Sequence, residues 1–216
     1  MDVQHAREQM IEQQIRAWEV LDPRVLSVMS EVPREQFVPA DYRKLAFADT
    51  MIPLAQGQVM LTPNIEGRML QALSVKPGDQ ALDVGTGSGF SAACLAALGA
   101  RVHSIEIHGN LADNAAAVHA QLGMNSIKVE TADAAQLSIT DKYDVIAVTG
   151  SVPQREKRFA QALKPGGRLF IVVGSEPNME ALLVTRTGAD TWLTESLFET
   201  VLPPLQNFSR TPKFQF

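Results

Sequence analysis

The chain has 216 residues, of which 45% are hydrophobic, and this is enough for one sizeable core. Lysine and arginine total 19 against 24 aspartates and glutamates, so the formal net charge is −5 and a nucleic-acid partner would lack its usual electrostatic attraction. No run of about 20 apolar residues predicts a membrane span, and the polar N-terminus does not resemble a signal peptide, so we expect a cytoplasmic protein without a membrane partner.

The first eighty residues differ from the rest, because helical patterns broken by prolines replace the alternation of strands and helices. Apolar residues spaced three and four apart predict a helix over Val3 to Ala17 that packs on the core. Asp22 before Pro23 is typical of a helix N-cap followed by proline in the first turn, so a second helix is expected over 23–30. We therefore predict a helical extension over residues 1–78.

Residues 81–90 form an apolar strand that runs into three glycines at alternate positions, Gly85, Gly87 and Gly89. Glycines let the backbone turn sharply off a strand and let a ligand approach with no Cβ in the way. NAD fits this loop poorly, because the dinucleotide fingerprint needs its third glycine where Phe90 stands, and no Gly-Lys-Ser/Thr follows for a triphosphate. A merely structural tight turn is the alternative interpretation.

Acidic residues follow the next two predicted strands. The strand over 101–106 ends in Glu106, where a carboxylate accepts hydrogen bonds from both ribose hydroxyls. Asp133 follows a strand over 127–130, in a position to meet the amino group of adenine. Together with the glycine loop, these acids predict a nucleoside-binding site.

The remaining strands complete a sheet. A fourth strand over 144–148 ends at Thr149, and a turn over 164–168 leads into a fifth over 169–173. Segments 182–187 and 192–201 are rich in β-forming residues and predict an antiparallel hairpin at the sheet edge. We assign residues 79–216 to this core, which with the hairpin has seven strands.

This order of motifs resembles the S-adenosylmethionine-dependent methyltransferases of the Rossmann-like class. The N-terminal run Val32-Pro-Arg-Glu-Gln-Phe-Val-Pro39, with Ala48-Asp49 and Pro53 through Gln58, resembles the protein-L-isoaspartate O-methyltransferases more specifically, over nearly the whole chain. The resemblance implies an α/β fold with a Rossmann-like seven-stranded methyltransferase sheet flanked by helices. It also implies S-adenosyl-L-methionine as cofactor, and protein or peptide substrates bearing isoaspartyl residues.

The resemblance also implies roles for individual residues. Glu106 would bind the ribose, Asp133 and Ala134 would bracket the adenine, and Asp83 would hold either the loop or the methionine amino group. The predicted catalytic residues, near the acceptor, are Thr62 and Asp49, although Asp49 is equally well explained as a solvated loop carboxylate. The predicted cofactor-binding residues are Asp83, Gly85, Thr86, Gly87, Gly89, Glu106, Ile107, Asp133, Ala134 and Thr149.

One departure falls where the family binds its acceptor. The family's Gln-Thr-Ile-Ser-x-Pro run appears here as Gln58-Val-Met-Leu-Thr-Pro63, so that Val59 replaces the threonine and Leu61 the serine. Thr62 either substitutes for the lost serine or caps the following helix. The departure leaves two alternatives open: a methyltransferase with a different acceptor, and a non-catalytic module that binds the cofactor. It also predicts that Leu61→Ser raises isoaspartyl turnover.

The remaining reactive side chains have simpler interpretations. Cys94 is the single cysteine, which excludes an internal disulfide, and its helix of small residues predicts a buried position. The four histidines lack metal-ligand spacing, so no metal is expected. His108, just past Glu106, either lines the adenosine pocket or, as is more common, is a solvated loop histidine. The C-terminal tail, with Phe208, Phe214 and Phe216, docks either on its own domain, the more common outcome, or on a partner. The sequence does not predict an oligomeric state.

Overall fold

The computed structural model describes residues 2–208, so Phe214 and Phe216 lie outside the described residues. The helices are α1 (Val3–Gln9), α2 (Pro23–Glu31), α3 (Pro63–Leu73), α4 (Phe90–Ala97), α5 (Gly109–Gln121) and α6 (Lys157–Ala162). A small ribbon is formed by β1 (Ile52–Pro53) and β2 (Val59–Met60). The strands of the main sheet are β3 (Gln80–Val84), β4 (Arg101–Glu106), β5 (Ile127–Thr131), β6 (Tyr143–Val152), β7 (Leu163–Ser175), β8 (Asn178–Arg186) and β9 (Trp192–Glu199).

The main sheet has seven strands in the order β5-β4-β3-β6-β7-β8-β9. Strands β3 to β7 pair in parallel, and β8 and β9 form an antiparallel hairpin at the edge. This confirms the predicted α/β fold class with its seven-stranded sheet. The carboxyl ends of β3, β4 and β6 lie side by side, which is where open α/β sheets bind their ligands.

The predicted helix starts are found where local side chains satisfy free backbone amides. The Asp22 carboxylate accepts a hydrogen bond from Arg24 N at 2.8 Å, and Pro23 occupies the first turn of α2. The first helix is α-helical only to Gln9 and continues as a π-helical stretch, Met10–Ile15, and a 3-10 turn to Trp18. The wider π turn places Met10 and Ile15, five residues apart, on the same buried face.

The predicted turn over 164–168 is wrong as a boundary, because these residues lie inside β7. Tyr143 pairs with Leu163 and Val145 pairs with Arg168, so the segment between them bulges out of the ladder. Gly166 has φ = +80° and supplies the left-handed residue that this bulge requires.

Two apolar clusters cover the two faces of the sheet. One cluster joins the N-terminal extension to the sheet and contains Met29, Leu70 and Phe170. The other contains Leu82 and Phe159 on the opposite face. Alternate residues of β3 and β6 point into different clusters, as the two-residue period of a strand requires. None of the helices within residues 2–208 is long and apolar enough to cross a membrane.

Candidate active site

The glycine loop is fixed to the end of the neighbouring strand by backbone hydrogen bonds. Gly85 N and Thr86 N both donate to Ile105 O, at 2.9 and 3.2 Å. At Gly89 (φ +88°), a Cβ would lie 2.8 Å from His119 Nε2, which itself bonds Gly89 O at 2.8 Å. The last glycine is therefore required by packing against α5, in addition to its left-handed backbone.

Asp83 lies behind the loop, where it is fully buried. Its carboxylate accepts a hydrogen bond from Ser104 Oγ at 2.6 Å, and Ser104 Oγ lies 2.5 Å from Thr86 Oγ1. Burial raises the pKa of Asp83 to about 7, opposed by the Ser104 hydrogen bond and reinforced by the charge of Glu106. The arrangement favours the first of the two predicted roles, in which Asp83 holds the loop.

Glu106 connects the end of β4 to the glycine loop. One carboxylate oxygen accepts a hydrogen bond from Gly87 N at 2.9 Å, and the other accepts one from His108 N at 3.0 Å. The side chain is thereby held in one orientation at the cavity wall. Each carboxylate oxygen keeps a lone pair that can accept a hydrogen bond from a ligand hydroxyl.

Asp133 occupies the corresponding position after β5. One of its oxygens accepts a hydrogen bond from Ala135 N at 2.8 Å, which caps a short 3-10 turn. The other accepts a hydrogen bond from Asn207 Nδ2 at 2.9 Å, so the C-terminal segment reaches this carboxylate.

Thr149 forms the floor beside the first glycine. Its hydroxyl donates to the carbonyl oxygens of Val84 and Gly85, which lie 3.0 and 2.6 Å away. Gly85 has φ = +90°, and a Cβ there would lie 2.9 Å from Thr149 Oγ1. A larger residue at position 85 would therefore clash with Thr149 and would be strained by the positive φ.

These elements line one cavity that is open to solvent, and the space within it, open mouth included, is about 660 Å³. Predicted cofactor residues that line it are Gly85, Gly87, Glu106, Ile107, Asp133, Ala134 and Thr149. The other three, Asp83, Thr86 and Gly89, are buried and support the loop without lining the cavity.

The two predicted catalytic residues do not line this cavity. Thr62 is the N-cap of α3, where its hydroxyl accepts a long hydrogen bond of 3.5 Å from Ile65 N. Asp49 is exposed in a turn of the N-terminal extension. The structure therefore favours the capping interpretation of Thr62 and the solvated interpretation of Asp49.

The acceptor loop, residues 55–62, reaches the cavity through other side chains. Gln58 and Val59 line the cavity, whereas Leu61 is 3% exposed and belongs to the hydrophobic core. A serine at position 61 would bury its hydroxyl, so the position of this side chain does not support the prediction that Leu61→Ser raises turnover.

Sequence reasoning missed part of the cavity wall. His108 lines the cavity, which is the less common of its two expected positions, and its Nε2 lies 3.0 Å from Gln206 Nε2. The C-terminal segment contributes Leu205 and Phe208, and the Phe208 ring lies 5.8 Å from that of Phe159, so this part of the tail packs on its own domain, the more common of the two expected outcomes. The position of His108 two residues after Glu106 was the signal that could have placed it at the cavity. No local sequence pattern indicates that Leu205 and Phe208 reach the cavity wall.

Within residues 2–208 there is no group of three or more histidine, cysteine or acidic side chains arranged to hold a metal ion. Cys94 is buried, and burial raises the pKa of its thiol well above the usual value, which keeps the thiol protonated. The site is therefore described by its glycine loop, its strand-end acids and its acceptor loop.

The seven-stranded sheet and the cavity at its carboxyl edge define a Rossmann-like methyltransferase. The family model for protein-L-isoaspartate(D-aspartate) O-methyltransferase (PCMT) matches residues 5–207, and the chain belongs to this family.

Individual relatives agree with this membership. Protein-L-isoaspartate O-methyltransferase 1 of Rhodopseudomonas palustris (strain HaA2) is 38% identical over 201 residues, covering 92% of this chain and 82% of the relative. The Koribacter versatilis protein-L-isoaspartate O-methyltransferase is 42% identical over 184 residues, covering 85% and 82%. A Plasmodium falciparum protein assigned to the same activity, solved with S-adenosyl-L-homocysteine, has a TM-score of 0.79 at 19% identity, with 93% and 98% of the two chains covered. This last similarity concerns the fold.

Proposed function

We propose that the protein transfers the methyl group of S-adenosyl-L-methionine to the free carboxylate of L-isoaspartyl residues in damaged proteins and peptides. The observation that carries the proposal is that Gln58 and Val59 of the acceptor loop line the same cavity as the glycine loop and Glu106. Acceptor and cofactor segments thus meet at one place in a member of the isoaspartyl methyltransferase family.

The residues present fit this cofactor. Glu106, held by two backbone amides, offers acceptor oxygens for the ribose hydroxyls, and Asp133 offers an acceptor for the adenine amino group. The loop can lie this close to Thr149 only with glycine at position 85, because a Cβ there would lie 2.9 Å from Thr149 Oγ1. When bound, the cofactor supplies an electrophilic methyl group on a positively charged sulfur.

The chain's own contribution to the reaction is orientation. A carboxylate acceptor with an ordinary pKa near 4 is already ionised at neutral pH, so a general base is not required. The acceptor loop holds the substrate beside the glycine loop, and the C-terminal residues Leu205 and Phe208 limit the access of water to the cavity. Asp83, Ser104 and Thr86 keep the loop in place from behind.

A second candidate is the same transfer to a different carboxylate. It is supported by Val59, whose apolar side chain lines the cavity where the family resemblance places a threonine.

We also propose the cytoplasm as the compartment, which the single buried cysteine supports.

The test is transfer of labelled methyl from S-adenosyl-L-methionine to matched isoaspartyl and aspartyl peptides, scored as base-labile ester, with cofactor binding measured on the same sample. Ester on the isoaspartyl peptide alone is the expected result. Cofactor binding without ester on either peptide would contradict the proposal and would favour another acceptor, or a role in binding alone.

Glu106→Ala is expected to weaken cofactor binding by about 1–3 kcal/mol, because hydrogen bonds to an ionised acceptor are lost. Calorimetric titration with S-adenosyl-L-homocysteine measures the change. Glu130→Ala is the matched control, since Glu130 lies on the neighbouring strand and does not line the cavity. Equal affinities for the wild type and Glu106→Ala would remove Glu106 from the binding site.

A further inference from the structure

Arg34 is the largest fully buried side chain of the described residues, with 0% exposure. Its guanidinium group joins two distant segments: Nε donates to Ala46 O at 2.8 Å, and Nη2 donates to Leu61 O at 2.5 Å. Leu61 belongs to the acceptor loop, two residues after Val59 at the cavity wall. The position of the Leu61 carbonyl therefore depends directly on Arg34.

The same guanidinium also contacts the cofactor side of the site. Its carbon Cζ lies 4.7 Å from the centroid of the Phe90 ring, in a cation–π arrangement. Phe90 is the first residue of α4 and directly follows Gly89, the last glycine of the loop. Arg34 thus contacts the acceptor loop through Nη2 and contacts Phe90, at the base of the glycine loop, through the face of its guanidinium group.

A second buried bridge runs alongside the first. Glu66 of α3, the helix that follows the acceptor loop, accepts hydrogen bonds from Ser91 Oγ of α4 at 2.9 and 3.0 Å. Glu66 is 1% exposed, and burial raises its pKa to about 7, while the charge of Arg34 opposes that rise. Both bridges end at the first two residues of α4, Phe90 and Ser91, and the residues they join to α4 lie in the acceptor loop or in the helix directly after it.

We infer that Arg34 is a positioning residue that sets the acceptor loop against the glycine loop, through the Leu61 carbonyl and the Phe90 ring. This inference rests on the proposed function. A planar guanidinium makes directed hydrogen bonds to two carbonyls while stacking on a ring, and the ammonium of lysine cannot reproduce that geometry. A displacement of about 1 Å in a reacting group costs on the order of 100-fold in rate, so small shifts of the loop have a measurable effect.

The test compares Arg34→Lys with Arg24→Lys. Arg24 is a matched control, because it also donates to two main-chain carbonyls, those of Val75 and Leu98, both at 2.8 Å, but it does not contact the acceptor loop. For Arg34→Lys we expect kcat/KM for an isoaspartyl peptide to fall about 10- to 100-fold, while the Kd for S-adenosyl-L-homocysteine changes less than about 2-fold. For Arg24→Lys we expect both quantities to stay near those of the wild type, with a lower midpoint of thermal unfolding.

Two further measurements keep the inference testable. Phe90→Leu removes the ring beneath the guanidinium without a charge change, and it is expected to lower kcat/KM in the same direction if Arg34→Lys does not fold. If the wild type forms no ester, the proposed function fails, and the positioning role of Arg34 is then tested by hydrogen exchange. Faster exchange of the amides of residues 58–62 in Arg34→Lys, with exchange in β3 and β6 unchanged, supports that role. Unchanged exchange, or equal kcat/KM for Arg34→Lys and Arg24→Lys, overturns it.

Discussion

The contribution of two buried carboxyl groups to the free energy of unfolding is expected to fall as the pH rises from about 4 to about 7, because both groups must ionise in the folded chain. Glu66 and Asp83 are 1% and 0% exposed. Burial raises the pKa of each to about 7. Arg34 and the Ser91 hydroxyl oppose the shift at Glu66, and the Ser104 hydroxyl opposes it at Asp83.

The direction follows from the proton count. In the unfolded chain both groups titrate near 4, so below that pH the folded and unfolded chains carry the same protons and the stabilisation is complete. Between about 4 and 7 the folded chain keeps protons that the unfolded chain has lost, and stability declines with rising pH until the folded groups have ionised. His103 and His119 act in the opposite direction, since burial lowers the pKa of each and stability from them rises toward about pH 6.5.

Because the histidines oppose the carboxyl groups, the measurement compares variants by urea unfolding at several pH values. The stability of Asp83→Asn relative to the wild type is expected to rise by on the order of 2–3 kcal/mol between about pH 5 and pH 8. Asp144→Asn is the control: partial burial acts against ionisation there, but hydrogen bonds from Lys164 and Gln80 N outweigh it, and the pKa of Asp144 is lowered. Its difference from the wild type is expected to stay constant over this range. An Asp83→Asn curve parallel to that of the wild type would contradict the prediction.

The parts of the fold that the sequence predicts are those decided by neighbours along the chain. Asp22 caps α2 and Thr62 caps α3, because each side chain bonds an amide two or three residues away. The edge hairpin is likewise found where two β-rich segments flank a turn, with Arg186 paired to Trp192. These signals are local, so a single sequence contains them.

The parts that the sequence does not predict depend on distant segments. The tail forms part of the cavity wall because Leu205 N donates to Ser151 O at 2.8 Å and Ser151 N donates to Pro203 O at 2.9 Å. Arg34 is buried because carbonyls 12 and 27 residues away accept its hydrogen bonds. Arginine is seldom fully buried, so only the three-dimensional contacts explain this position.

The burial of Leu61 is also decided by distant segments, and it can be tested by a stability measurement. Leu61→Ser is expected to lower the free energy of unfolding by about 3 kcal/mol, within a usual range of 2–5, because it leaves a space in the core and buries a hydroxyl. The physical reason is the 3% exposure of Leu61 inside the hydrophobic cluster. Urea unfolding of the purified variant measures the loss.

Val59→Thr separates this packing effect from the loss of a hydroxyl at the cavity. Val59 lines the cavity and is only partly buried, so the hydroxyl of a threonine there can stay hydrated, and the replacement is expected to change stability by less than about 1 kcal/mol. Methyl transfer to the isoaspartyl peptide, measured where both variants are folded, is then expected to respond to the hydroxyl at position 59 and not to the one at position 61. Wild-type stability together with raised turnover in Leu61→Ser would show instead that the side chain at position 61 faces the cavity and that the serine of the family pattern acts there.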